Sequence, residues 1–484
     1  MPTTHAVEQD VFSIFDDLKQ RVLGISDVTK PPEGFSFSFL PAGRPVNADD
    51  YAKPWTPDLT LDTGAGASTA DPAVLNAIAR RQRNLMNLSL MVDHKLQMNG
   101  SGLVEPGASK ISETWKVLLT GANAVPLPPI NDPNLKAALD RATKLLVKPD
   151  PEDPESVVLT DSYLKYKDYM KKYFRAIQAY TAQYVAAMSN PITAQTWPVL
   201  GPTYKADVDG AMDDWVSFGK KDKIEEALNL LDAQGSDAAT AMIASSKKIF
   251  DRYQVAAGMI AATIPYVQLF PTNWCDPAAG DDGWTTYTYD MAKARTETSA
   301  ASKSWGGGGV KLGFWSFGAR AKHSDSQVHE DFSSEGLSIS FKYAVVDIER
   351  PWLNTILLNL SNWFVVGCKK NCISNGDANQ QKPSDNEAFW LPAIPTQVIV
   401  VKDLVIKTQD AQRFAGSVKA GTSGGGSFGW GPFTIGGHYE HDSSKGTNSI
   451  EQVDGGLKID GVQIIGWISQ ILPASPKVDS PNVP

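Results

Sequence analysis

Cysteine is scarce: three in 484 residues exclude a disulfide-stapled scaffold. The close pair, Cys368 and Cys372 in Gly367-Cys368-Lys369-Lys370-Asn371-Cys372, lacks the second ligand pair of a zinc site. It is expected as two reduced thiols or one local disulfide. Basic charge is also short, with 45 Lys and Arg against 54 Asp and Glu, a net charge of -9 and a pI near 5.3. The general phosphate-neutralising surface of a nucleic-acid binder is therefore missing, and no such partner is expected.

Long apolar runs are missing too. The longest, Val255 to Phe270, contains Gly258, Thr263, Pro265 and Gln268, falls short of the ~20 residues of a spanning helix, and reads as a buried helix running into a turn. The N-terminus, Met1-Pro2-Thr3-Thr4-His5, has no basic stretch followed by an apolar segment, so no secretory signal is expected. Synthesis in the cytoplasm follows, with release by lysis or dedicated export where the protein acts outside the cell.

Catalytic motifs fail on context. Gly421-Thr422-Ser423-Gly424-Gly425 has the spacing of a nucleophile elbow, but a strand rather than a helix is predicted after it. Gly424-Gly425-Gly426-Ser427-Phe428-Gly429 satisfies GxGxxG, yet it does not open the helix that would receive a pyrophosphate. No P-loop sequence is present, and Asp213 and Asp214 beside Trp215 read as a solvated helix edge. Neither an enzyme nor a cofactor is expected.

What is present is a duplication. Ser304-Trp305-Gly306-Gly307-Gly308-Gly309-Val310-Lys311-Leu312-Gly313-Phe314-Trp315-Ser316-Phe317-Gly318 recurs 118 positions later as Thr422-Ser423-Gly424-Gly425-Gly426-Ser427-Phe428-Gly429-Trp430-Gly431-Pro432-Phe433-Thr434-Ile435-Gly436. At the same offset Trp305 stands where Ser423 does, which removes a fixed catalytic role for that serine, and His323 meets His441. Each copy has the order apolar strand, Gly-rich loop, alternating aromatic strand, polar loop, closing strand.

Four histidines, His323, His329, His438 and His441, lie in or beside the polar loops, near Asp325, Glu330, Glu440 and Asp442. They are the metal candidates. The odd spacing of His438 and His441 sends them to opposite faces of a strand, however, so exposed loop histidines are expected and no metal site.

The N-terminal half has helical grammar. Val11, Ile14, Phe15, Leu18 and Val22 share one face of a short helix within residues 7 to 23, expected to dock on its own body. Ala73 to Met98, Ile111 to Leu119, Pro133 to Val147, Asp161 to Met188, Tyr204 to Phe218, Lys221 to Ala233 and Ser236 to Ala262 are predicted helices. The longest carries a stripe, Tyr163, Tyr166, Tyr169, Tyr173, Tyr180 and Tyr184, suited to a helix interface or to core packing. After Pro271 short β-branched and aromatic runs replace this pattern: Thr285 to Tyr289, Val310 to Ala321, Leu337 to Ile348, Gln397 to Ile406, Phe428 to Tyr439 and Leu457 to Ile468.

The expected fold class is therefore α+β. An N-terminal α-helical domain (68–270) follows an amphipathic helix and Pro/Gly-rich connection (1–67) and precedes a C-terminal antiparallel β domain (271–472). The β domain is expected as a sandwich or open barrel built from the duplication, with copies near 284–349 and 397–469 and a disordered tail at 473–484.

The alternation of Trp315 to Lys322 and of Phe433 to Tyr439, with small polar residues on one face, suits a membrane hairpin as well as a sheet with one wet face. The membrane or interface candidates are Trp305, Val310, Leu312, Trp315, Phe317, Phe428, Trp430, Phe433, Ile435 and Tyr439. The function expected is that of a non-catalytic, self-associating homo-oligomer, in its sharpest form a pore-forming, toxin-like protein. The alternatives are a structural assembly subunit without membrane activity and a glycan- or ligand-binding module using Trp305, Trp315 and Trp430.

Overall fold

The structure is a computed structural model. It describes residues 14, 16–22, 34–56, 72–98, 104–125, 132–151, 157–188, 191–234, 236–256, 263–276, 280–281, 283–290, 337–377, 389–409, 412–413, 415–416, 418, 427–430, 433–436 and 450–481.

The mixed α+β class holds. Strands β1 (Phe35–Val46), β9 (Gln268–Phe270), β10 (Thr285–Asp290), β11 (Ser338–Glu349), β13 (Ala393–Lys407), β16 (Ile450–Val453), β17 (Gly456–Ile459) and β18 (Val462–Ile471) form one antiparallel sheet. In its upper half the order is β1-β18-β13-β11-β9, and in its lower half β16-β17-β13-β11-β10. The two halves meet at a line of irregularity. The β13 register shifts between the partners of Ser340 and Lys342, Asp403 takes a φ of 54°, and Gly461, between β17 and β18, takes 109°. Bulges of this kind kink and twist a sheet.

Period-two alternation gives this sheet two buried faces. Ile339, Phe341, Ile399, Val401, Leu404, Ile406, Leu457 and Ile465 pack on one side with Ile14 and with Leu18 and Val22 of α1 (residues 16–22). The N-terminal helix thus docks on its own body, as its apolar stripe implies. Val346, Ile348, Val398, Val400 and Ile464 pack on the other side, under α2 (Ala48–Tyr51) and α3 (Pro72–Val92).

The remaining long helices are α4 (Ile111–Gly121), α5 (Pro133–Leu146), α6 (Asp161–Met188), α7 (Pro191–Ser217), α8 (Lys221–Gln234) and α9 (Ser236–Arg252). Their starts follow local chemistry. The Asp132 carboxylate accepts from the Asn134 amide with Pro133 in the first turn of α5, and the Thr160 hydroxyl oxygen accepts from the Tyr163 amide before α6. Two-stranded ribbons lie between them: β2 (His94–Met98) with β3 (Val104–Lys110), β5 (Val147–Pro149) with β6 (Val157–Leu159), and β7 (Gln254–Ala256) with β8 (Thr263–Pro265). A fourth joins β4 (Ala122–Ala124) to β12 (Trp363–Val365), just past the short helix α10 (Ile356–Asn359).

Four expectations are corrected. Val255 to Phe270 is not a buried helix: α9 stops at Arg252, and β7, β8 and β9 follow, with Pro265 denying the helix a donor. The Pro/Gly-rich connection supplies β1, an edge strand paired with β18. The tail is ordered through residue 481. Ser475 exchanges backbone hydrogen bonds with Ser374, and the Ser480 amide donates to Cys368 O at 2.9 Å. Finally, among the described residues one buried cluster crosses residue 270. Trp115, Ala142, Leu231 and Met242 of the helical half share a buried cluster with Trp352, Leu357, Trp363, Leu391 and Leu472 of the C-terminal half. The described strands of the C-terminal half lie mainly in one antiparallel sheet.

Candidate functional site

Four strand ends meet at the lower edge of the sheet. Asp290, the last residue of β10, is opposite Ser338, the first of β11; Ser338 is opposite Lys407, the last of β13; Lys407 is opposite Gly456, the first of β17. The chain leaves the sheet through this edge after Asp290 and again after Lys407: residues 291–337 lead directly back into β11, whereas residues 408–455 re-enter first as β16, beside β17, and turn at 454–455 into β17. The strands are amphipathic here. Tyr287, Tyr289, Ile339, Phe341, Leu404 and Ile406 face the buried side, and Tyr287 stacks on Phe341 at 4.6 Å. Thr286, Thr288, Ser340, Lys342 and Lys458 alternate with them on the other side.

The second of these segments is held against the apolar face. Its ribbon of β14 (Ser427–Trp430) and β15 (Phe433–Gly436) buries Phe433 and Ile435 fully, and the Phe433 ring meets Phe341 edge-on at 5.1 Å. Ala415 and Val418 enter the same cluster. A polar clamp fixes the position of β15. The Thr434 amide donates to Gln463 Oε1 at 2.8 Å, Gln463 Nε2 donates to Thr434 O at 2.8 Å, and the Thr434 hydroxyl donates to Gly43 O. Gln463 is 1% exposed, so these bonds have no competition from water.

A second polar cluster marks the bend. Lys342 pairs with Asp281 at 2.8 Å and Asp403 at 3.0 Å, while Lys402 pairs with Asp281 at 3.2 Å, donates to Gly280 O at 2.8 Å and lies 4.5 Å over the Trp284 ring. The hydrogen bonds from Lys342 and Lys402 hold the Asp281 carboxyl below the usual carboxylate range.

The other candidate residues divide as follows. Trp305, Val310, Leu312, Trp315, Phe317, Tyr439 and all four candidate histidines lie outside the described residues, as do the side chains of Phe428, Trp430 and Tyr184. Among the described residues no group of three or more His, Cys, Asp or Glu could hold a metal, and no helix is long and apolar enough to cross a membrane. The tyrosine stripe is engaged within the chain. Tyr163 stacks on Tyr166, Tyr166 and Tyr173 meet Trp215 at 5.5 and 5.7 Å, Tyr169 meets Phe218 at 6.1 Å, and the Tyr166 hydroxyl donates to Glu225; Tyr180 is half-buried. Cys368 and Cys372 are free thiols, and burial pushes both up in pKa.

Sequence reasoning missed the Gln463 clamp and the Lys342–Asp281–Lys402 cluster. A lone glutamine inside Val462-Gln463-Ile464-Ile465 was the available signal for the first. No family model matches the chain, and neither a curated protein nor a solved structure resembles it significantly.

Proposed function

We propose that the protein is a non-catalytic pore former that self-associates at a membrane and extends residues 291–337 and 408–455 as two β-hairpins, the second after β16 separates from β17. The observation that carries this reading is the shared edge: Asp290, Ser338, Lys407 and Gly456 lie side by side in register. Hairpins continuing β10–β11 and β13–β17 would emerge adjacent, parallel in direction and already amphipathic.

The internal duplication supports the same reading. Its 118-residue offset maps Ser338 on Gly456 and Thr285 on Asp403, so a strand, an insert and a returning strand are repeated as one unit. The two inserts are nearly equal in length. Each arm would hold roughly 20 residues, reaching about 65 Å at ~3.3 Å per residue, whereas ~9–11 residues cross a bilayer as a tilted strand. The alternation in Trp315 to Lys322 and in Phe433 to Tyr439 puts an apolar side toward lipid and a small, polar side toward a lumen. Two hairpins supply four strands, and membrane barrels need about eight or more, so one copy is insufficient and a homo-oligomer is required. Phe433 and Ile435 are core residues in the folded chain and become lipid-facing residues on extension.

Size measurement with and without liposomes, coupled to release of an entrapped dye, tests this function. A ring-sized oligomer with leakage is the expected result. A monomer without leakage overturns it, and an oligomer without leakage leaves a structural assembly as the function.

A further inference from the structure

On the sheet face opposite α1, a cleft of about 320 Å³ opens beside the bend, between α6, the segment after β9 and the middle of β11. Phe270, Trp274 and Trp284 form its aromatic wall, and Arg175, Asn273 and Asp347 supply its polar groups. We infer that this cleft binds the ring of a neutral sugar, presented as a terminal residue of a glycan.

The chemistry of the lining selects that class. Trp274 is buried and backs the wall, while Phe270 is 39% exposed and presents ring surface beside it. A sugar ring has an apolar C–H face that lies against aromatic carbons, and hydroxyls around its rim that need paired donors and acceptors. Those are present. Asp347 accepts from Gln397 Nε2 at 2.8 Å through one carboxylate oxygen and pairs with Arg175 through the other, and the exposed amide of Asn273 adds one donor and one acceptor. Such a mixture of apolar wall and few convergent polar groups is the ordinary make-up of a small-molecule site, and the volume is at the small end of that range.

The same residues disfavour charged ligands. Asp347 is already matched by Arg175, so an anion meets an occupied guanidinium and a cation meets a neutralised carboxylate. A quaternary ammonium would also approach Trp284 with the Lys402 ammonium 4.5 Å from that ring. A neutral, hydroxylated ring loses nothing to either effect. Arg175 belongs to α6 and Trp284 to the segment clamped by Lys402, so an occupied cleft joins the long helical hairpin to the bend of the sheet.

The test uses the full chain on an array of natural mono- to tetrasaccharides, followed by titration of methyl glycosides of the retained terminal sugars, read by intrinsic tryptophan fluorescence. Phosphocholine serves as the cationic comparison. Saturable binding of at least one glycan and its methyl glycoside is expected. Trp284→Ala should weaken it about tenfold or more, equivalent to ~1.4 kcal/mol per factor of ten. Asn273→Ala, an exposed position that leaves the fold alone, should weaken it several-fold, with far-ultraviolet dichroism unchanged in both variants. The inference is overturned if no glycan binds, if phosphocholine binds in preference, or if both variants bind as the parent does, which would place recognition at Trp305, Trp315 or Trp430. Because no membrane is used, failure here leaves the pore-forming function untouched, and failure of leakage leaves this site untouched.

Discussion

Gln463→Leu should release liposome contents at least about tenfold faster than the parent chain. Both side-chain hydrogen bonds of Gln463 go to the backbone of Thr434, inside a fully buried contact. Leucine fills the space and leaves the Thr434 amide and carbonyl without partners, at a cost of ~1–3 kcal/mol for each buried group. In an extended hairpin these groups regain partners across the strand ladder, so the cost falls on the folded-back state alone. Every ~1.4 kcal/mol removed from the barrier speeds detachment tenfold. The converse variant carries Gly43→Cys and Thr434→Cys, two positions joined by a hydrogen bond in the parent. Once thiol titration shows the disulfide formed, leakage should stop, and a reductant should restore it. Equal rates for parent, Gln463→Leu and the oxidised double variant would show that β15 does not leave the sheet.

The largest loss of stability is expected from Arg350→Met. Arg350 sits where β11 ends and is buried; its guanidinium donates to Pro395 O and, at 2.6 Å, to Val92 O, beside the carboxylate of Asp93. Asp93 in turn accepts from the amide and hydroxyl of Ser112 at the start of α4. The group ties α3, α4 and two sheet strands together. Burial lowers the Arg350 pKa to about 10, still well above neutrality, so the cation persists. Removing it strands a buried carboxylate, a change that costs about 3–5 kcal/mol where total stabilities are about 5–15.

The sign of the pH dependence follows from Asp93. Burial raises its pKa above the ordinary 3.8, and Arg350 acts in the opposite direction. A carboxyl with a raised folded pKa binds its proton more tightly when folded, so its contribution to stability falls as pH rises through that interval. Without Arg350 the folded pKa rises further. The deficit of Arg350→Met should therefore be smallest near the ordinary carboxyl pKa and grow to a plateau toward pH ~8. Urea melts at pH ~4.5 and ~8 measure it, and a deficit independent of pH would contradict the role given to Asp93.

The legible parts of the fold were those with strong local chemistry. Asp132-Pro133 announced α5, Gly121 its predecessor's end, and the alternation of Leu337 to Ile348 announced β11. β1 was hidden because Pro41, Gly43 and Pro45 break its pattern. It tolerates them as an edge strand, where one side of the ladder is free. Val255 to Phe270 misled because an apolar run carries no period that separates a buried helix from short strands. The ordered tail depends on hydrogen bonds to residues about a hundred positions away, which no local pattern announces. Of the candidate site, the duplication and the two insert segments could be read directly. Their shared edge could not, because it is a matter of register between distant strands.

That edge is the central claim, and an environment-sensitive fluorophore on single cysteines tests it most directly. Placed in turn at residues 310–317 and 433–439 in chains with the native cysteines replaced, the probe is read before and after addition of liposomes. Emission should brighten and shift blue at alternate positions, including Trp315, Phe317, Phe433 and Ile435, with the intervening positions remaining aqueous. A change without a period of two, or none at all when oligomers have formed, would contradict the extension of these segments as membrane hairpins.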